Sequence, residues 1–288
     1  MASLAVLGAG RIGGEIAFLT SVMGIIDELV LYDVALPFLH AQVLDLQHAC
    51  PDLVISTDPE LAADADICVF AAGSARNSEM KTRAELLDWN VPAIDETASH
   101  IENFTGILIT ITNPMDAVNY YLCRSLGIDR TRCIGFGGQL DSARYGLELA
   151  NRQIWGAPWV LGEHGEYQVP LFSRLDRKVD TAERDGILTS LRGSSMEIIK
   201  GKGGTVFGPA AHIVDLVDMI VEDSRSLVTC SVVLEGEYGL DKCSIGVPVR
   251  VGRFGIETIE EWRFDPWEQQ RFSEAGEHLQ ALCARLDV

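Results

Sequence analysis

Six residues near the amino terminus, Gly8, Ala9, Gly10, Arg11, Ile12 and Gly13, have the types and spacing to cradle a phosphate. Gly8 permits a sharp turn, Gly10 lets the backbone approach a pyrophosphate, and Gly13 lets a helix pack close to the strand before it. Twenty residues beyond Gly13 stands Asp33, the separation expected of a carboxylate that accepts hydrogen bonds from an adenosine ribose. A carboxylate there repels a 2′-phosphate, so NAD is expected rather than NADP. Further along, four features could do chemistry. Arg76 and Arg83 lie on one loop, and Asn113 ends an apolar run before Pro114. Asp141 and Arg144 are three apart at a helix start and share its face. His164 lies between Glu163 and Gly165. Singly, each has a plainer explanation. Asp141 and Arg144 could be a helix ion pair worth ~0.3 kcal/mol. The arginines could face solvent, and Asn113-Pro114 could be only a turn.

Elements must hold these residues in place. Residues 3–7 are a short apolar run, as a buried parallel strand should be. A helix over 12–23 follows, with free N–H groups and its positive dipole end toward the phosphates. A second strand, 28–32, carries Asp33 at its carboxyl end. Strands at 66–71, 107–112 and 132–135 alternate with helices at 38–49, 80–103 and 116–126. Such alternation makes a parallel sheet with helices on both faces and ligands at the strands' carboxyl ends. The second half reads as strands at 159–161, 169–173, 228–234, 244–251 and 254–259, with helices at 180–200, 209–222 and 266–285. The fold class is therefore α/β. A Rossmann, doubly wound parallel sheet over 1–137 binds the dinucleotide, and an α+β catalytic and substrate domain with antiparallel strands spans 138–288.

Charge narrows the partners. The net charge is −19, so nucleic acid and anionic membrane surfaces are poor partners. Only five lysines are present, so arginine supplies eighteen of the 23 basic groups, and an anionic substrate must be drawn in by local arginines. The seven cysteines are scattered without a C-x-x-C pair, which predicts reduced thiols in a cytoplasmic protein and no metal site. No 18-residue apolar stretch or amino-terminal signal segment is evident.

The chain resembles the NAD-dependent lactate/malate dehydrogenase family. The matching pieces run in family order over nearly its whole length: GAGRIG (8–13), Asp33, DLQHA (45–49), AAGSAR (71–76), RAELLDWN (83–90), ITNPMD (111–116), GFGGQLDSARY (135–145), GEHG (162–165), KGGTVFGPA (202–210) and LEGEYG (234–239). The resemblance implies that His164 is a general acid/base and that Asp141 orients its imidazole and stabilises the cation. It implies that Arg144 grips the substrate's C1 carboxylate with two hydrogen bonds. Arg83 would polarise the carbonyl, and Asn113 would contact both substrate and nicotinamide ribose. Asn90 and the backbone of Ile111 and Thr112 would contact the cofactor. The implied substrate is a small 2-hydroxy or 2-oxo dicarboxylic acid, and the implied assembly is a homodimer or homotetramer, with the helix carrying Asp45 and His48 at a subunit interface.

One segment departs from the family pattern. The specificity residue usually stands six positions before the catalytic arginine, in a pattern like R-K-P-G-M-x-R. Here the run is Arg76-Asn77-Ser78-Glu79-Met80-Lys81-Thr82-Arg83. Counting back from Arg83 gives Asn77, whereas counting forward from AAGSAR gives Arg76. An inward Arg76 would pair with a second carboxylate and favour malate. Leaving such an arginine unpaired costs ~2–5 kcal/mol, enough for at least tenfold discrimination. With Asn77 in that place, a smaller or neutral acid such as lactate is expected. A dinucleotide-binding protein without turnover is the remaining alternative.

Overall fold

A computed structural model describes residues 2–74, 82–286 and 288. Six strands of the first half, β1 (Ser3–Leu7), β2 (Glu28–Tyr32), β3 (Val54–Ser56), β4 (Ile67–Phe70), β5 (Ile107–Thr110) and β6 (Cys133–Gly135), lie parallel in the order 3-2-1-4-5-6. Every residue of β4, β5 and β6 is buried. That is why these strands read as continuous apolar runs rather than alternating ones. The strand order reverses between β1 and β4. The connections run through α1 (Arg11–Val22), α2 (Leu36–Ala49), α3 (Arg83–Ala98) and α4 (Met115–Ser125), and right-handed crossovers about such a reversal put helices on both faces. The carboxyl ends of β1 and β4 flank that reversal, the place where ligands bind in sheets of this kind.

The second half adds α5 (Gly138–Asn151), β7 (Val160–Gly162), β8 (Gln168–Pro170), α6 (Thr181–Lys202), α7 (Phe207–Val221), β9 (Ser226–Glu235), β10 (Asp241–Gly252), β11 (Gly255–Ile259) and α8 (Pro266–Cys283). β9 and β10 form a long antiparallel hairpin, and β7 and β11 both pair with the far edge of β10. The hairpin is not a separate sheet. β9 pairs antiparallel with β6 at Gly135 and Ser231, so one sheet runs through both halves. Helix α7 packs back on α1, and α4 packs on β9 and β10. One large apolar cluster follows this sheet. A second gathers Tyr145 and Leu149 of α5 with Val160, Phe172, Ile187 and Leu191. Among the described residues no single helix is long and apolar enough to cross a membrane. All seven cysteines are free thiols, six of them buried.

Several expected bounds move. The sequence reading omits β3, because three residues at a sheet edge carry too little pattern; pairing with β2 at Glu28–Val30 is what makes them a strand. The helix expected over 80–103 is α3, which starts at Arg83. Thr82 caps it, accepting from the Glu85 N–H while the Glu85 carboxylate accepts from the Thr82 N–H. It ends at Ala98, passing into a 3-10 turn at Ser99–Ile101, and helical geometry stops at Glu102, with ψ 133, before Asn103 at φ 66. The strand expected over 169–173 stops at Pro170. Ser173 instead belongs to a 3-10 turn, with its N–H and hydroxyl held by the Glu268 carboxylate.

Candidate active site

The glycine loop follows β1 into α1. Gly8 has φ +102, and a Cβ there would stand 2.7 Å from the Ala71 carbonyl carbon and the Ala72 nitrogen. A Cβ on Gly13 would stand 1.9 Å from the Gly8 carbonyl oxygen, whereas beside Gly10 there is nothing within 4 Å. Gly10 caps α1 with no side-chain hydrogen bond, and the first turn carries no acidic residue. The helix thus presents uncapped N–H groups beside an open space, as a phosphate site requires. Ala9 is fully buried and Ile12 packs against the core. The Gln42 amide of α2 donates to the Ala9 carbonyl at 3.0 Å, fastening the loop to α2. Arg11 reaches the Lys202 carbonyl at the end of α6 at 3.4 Å. Asp33 stands just past β2, with Oδ1 accepting from the Ala35 N–H at 2.9 Å.

The loops after β4 and β5 are fastened to one another. The Thr112 hydroxyl donates to the Ala72 carbonyl at 2.7 Å, and the Ile111 N–H to the Phe70 carbonyl at 3.0 Å. Asn90, 1% exposed, spends its side chain on backbone: it accepts from the Ser74 N–H and donates to the carbonyls of Ser74 and Asn113. Asn113 is itself exposed.

Adjacent strands thus carry Asp33, the glycine loop, residues 71–74, residues 111–113 and Gly137 in spatial order along one edge. His164 closes the row: a Cβ on Gly137 would stand 2.4 Å from its Cγ. The His164 Nδ1 lies 2.7 Å from Asp141 Oδ2, and Arg144 Nη1 lies 3.0 Å from Asp141 Oδ1. Burial alone would raise the Asp141 pKa, but the charge and hydrogen bond of His164, with those of Arg144, hold it below its ordinary value. Asp141 is therefore a carboxylate that only accepts, so Nδ1 carries the proton and Nε2 is left for chemistry. Burial alone would lower the His164 pKa. Asp141, by charge and hydrogen bond, and Asp116, by charge, outweigh it and raise the pKa above the ordinary 6.5, with Arg83 opposing. Arg83, the first residue of α3, places Nε 3.1 Å from Glu163 Oε1.

Comparisons with known proteins place the chain in a family. The lactate/malate dehydrogenase NAD binding domain profile matches residues 2–135, and the lactate/malate dehydrogenase alpha/beta C-terminal domain profile matches 139–285. The chain belongs to the lactate/malate dehydrogenase family. It is 33% identical to a malate dehydrogenase of Natronomonas pharaonis, with 97% of each chain covered. It is 30% identical to an L-lactate dehydrogenase of Acetivibrio thermocellus, covering 98% of this chain and 96% of that one. A solved malate dehydrogenase of Archaeoglobus fulgidus, in complex with NADH, superposes with a TM-score of 0.89 at 30% identity, covering 99% of this chain and 100% of that one. The cofactor of this family is NAD, and the open space at Gly10, the uncapped helix and Asp33 fit it.

Some site residues escaped the sequence reading. Asp116, 1% exposed, accepts from the His164 backbone N–H at 2.8 Å and from the Ser231 hydroxyl. Burial pushes its carboxyl up to about 6, with the Ser231 hydrogen bond pulling the other way. The signal available was an acid in the otherwise apolar start of α4. Glu163, 2% exposed beside His164, is the other. Arg76 and Asn77, the two candidates for substrate choice, lie outside the described residues.

Proposed function

We propose that this protein is an NAD-dependent malate dehydrogenase, reversibly oxidising malate to oxaloacetate. The observation that carries the chemistry is the His164–Asp141 pair, 2.7 Å apart and packed on Gly137 at the edge that also bears the glycine loop. Bound NAD supplies the hydride exchange with the substrate's C2; everything else falls to side chains. In oxidation, His164 Nε2 takes the hydroxyl proton, and in reduction it returns one to the carbonyl oxygen. Asp141 keeps the opposite nitrogen protonated and stabilises the imidazolium. Arg144, tied to Asp141 through Nη1, offers its remaining donors to the C1 carboxylate. Arg83, beside His164, polarises the carbonyl. The glycine loop and α1 hold the pyrophosphate, Asp33 takes the adenosine ribose, and Ile111, Thr112 and Asn113 line the nicotinamide side.

Malate is favoured over lactate because several relatives named malate dehydrogenase are 33–34% identical to this chain over nearly its whole length, including those of Halobacterium salinarum and Haloferax volcanii. An inward Arg76 would provide the matching charge. Relatives named lactate dehydrogenase at 30% identity support the second reading. Steady-state reduction of oxaloacetate and pyruvate, each with NADH and NADPH, decides between them. We expect oxaloacetate with NADH to give the highest kcat/KM, and an equal or higher value for pyruvate overturns the assignment. We further propose a homo-oligomer, supported by Leu36, Phe38 and Leu44 exposed on α2 and Phe18, Val22 and Met23 at α1. A monomer by light scattering would refute that.

A further inference from the structure

The residue beside the imidazole has no role in this scheme, yet it is among the most buried charges in the protein. Glu163 is 2% exposed, and a buried carboxylate is costly unless compensated. Its Oε2 accepts from the Tyr167 N–H at 2.9 Å. Its Oε1 takes no aligned hydrogen bond among the described residues. Instead, Oε1 faces two nitrogens, Arg83 Nε at 3.1 Å and His278 Nε2 at 3.7 Å. The His278 ring, on α8, stacks on Tyr167 with centroids 4.5 Å apart. Three elements thus close around one carboxylate, and Arg83 brings the permanent charge.

The next residue but one completes the contact. A Cβ on Gly165 would stand 2.0 Å from Arg83 Nη2, so the guanidinium lies against bare backbone. A guanidinium has five N–H donors in a rigid fork. An ion pair on the Nε side draws the fork toward the carboxylate without using its terminal nitrogens.

We infer that Glu163 is a positioning residue for Arg83: its buried carboxylate attracts the guanidinium on its Nε side, keeping it against Gly165, beside His164, and leaves the terminal nitrogens for the substrate carbonyl. Three consecutive residues then divide the work: Glu163 anchors the arginine, His164 moves the proton, and Gly165 makes room. The inference rests on the proposed 2-oxo acid chemistry.

Glu163→Gln is the fitting probe. The amide oxygen still accepts from the Tyr167 N–H, so the loop keeps its anchor, while the charge facing Arg83 is gone. We expect kcat for 2-oxo acid reduction to fall about tenfold to a hundredfold, in line with a misplaced polarising group. NADH affinity by fluorescence titration stays within about twofold. Because Glu163 works through Arg83, the double variant Glu163→Gln/Arg83→Ala turns over no more than about threefold below Arg83→Ala alone. If the two losses multiply, or if Glu163→Gln leaves kcat unchanged, the inference is overturned. It is also overturned if the whole loss appears as a shifted pH limb, since Glu163 would then act on His164. If the unaltered protein reduces neither oxaloacetate nor pyruvate, the functional reading fails and takes this role with it. If it does reduce them and the losses multiply, only the role of Glu163 fails.

Discussion

The cofactor corner and the catalytic corner lie on one edge of one sheet but are built by opposite means. The first is made of omissions. Gly8 and Gly13 lack side chains that would strike neighbouring backbone, Gly10 leaves space, and α1 begins without a cap. The second is made of buried charges: Asp116, Asp141 and Glu163 are each 1–2% exposed and answered by His164, Arg144, Arg83 and Ser231. The first binds by backbone shape, so it is sensitive to added atoms. The second, as proposed, would work by charges shielded from water, so it should be sensitive to neutralisation at constant shape.

The largest test of that contrast is His164→Asn. We expect kcat to fall at least about a thousandfold with the acid/base lost, while NADH affinity by fluorescence titration stays within about twofold. Loss of NADH binding would show that the two corners are not separable.

Asp141→Asn is isosteric and should lower kcat about a hundredfold. Its pH profile gives the sharper reading. On the proposed mechanism, reduction needs protonated His164, whose pKa Asp141 holds up. The variant should therefore lose reduction rate at a lower pH than the unaltered protein. Stability follows the same sign. A histidine pKa raised on folding adds its full stability below the ordinary 6.5 and loses it as pH climbs through the raised folded value. The urea midpoint should fall over that window in the unaltered protein and less in Asp141→Asn.

At the cofactor corner, two alanines should separate. Gly13→Ala puts a Cβ 1.9 Å from a carbonyl oxygen that cannot rotate away. It should lower Tm and weaken NADH binding at least about tenfold. Gly10→Ala meets nothing and sits at φ −64, which alanine adopts freely. It should leave Tm unchanged and weaken only NADH binding, because it fills the space for the pyrophosphate. A large drop in Tm for Gly10→Ala would contradict this account of the loop. The smallest effect is expected for Gln42→Ala, with about threefold weaker NADH binding and unchanged kcat, as for one lost hydrogen bond of about 0.5–1.5 kcal/mol.

Legibility in the sequence followed chain distance. The strand, glycine loop, helix, strand and Asp33 of the opening are contiguous and were readable to within a residue or two at their bounds. β3 was not readable, since only β2 beside it makes Val54–Ser56 a strand. In the site, residue types and order pointed to Asp141, Arg144, His164 and Arg83. No pattern could announce that Ser231 lies against Asp116 from 115 positions away. Nor could any pattern show that Gln42 fastens the loop at Ala9 across 33. That the Asn90 side chain ties the loops at Ser74 and Asn113 was likewise hidden until the fold brought them together.

The sequence by itself determined the phosphate loop, the alternation that makes the parallel sheet and the inventory of reactive side chains. Those depend on local backbone preference and on short-range spacing. Tertiary structure alone decided that the antiparallel hairpin continues the same sheet, and that a carboxylate 23 residues from His164 stands 2.7 Å from its ring. It also decided which charges lose their water. Desolvation and pairing depend on what packs around a group, and in this chain those neighbours come from remote segments.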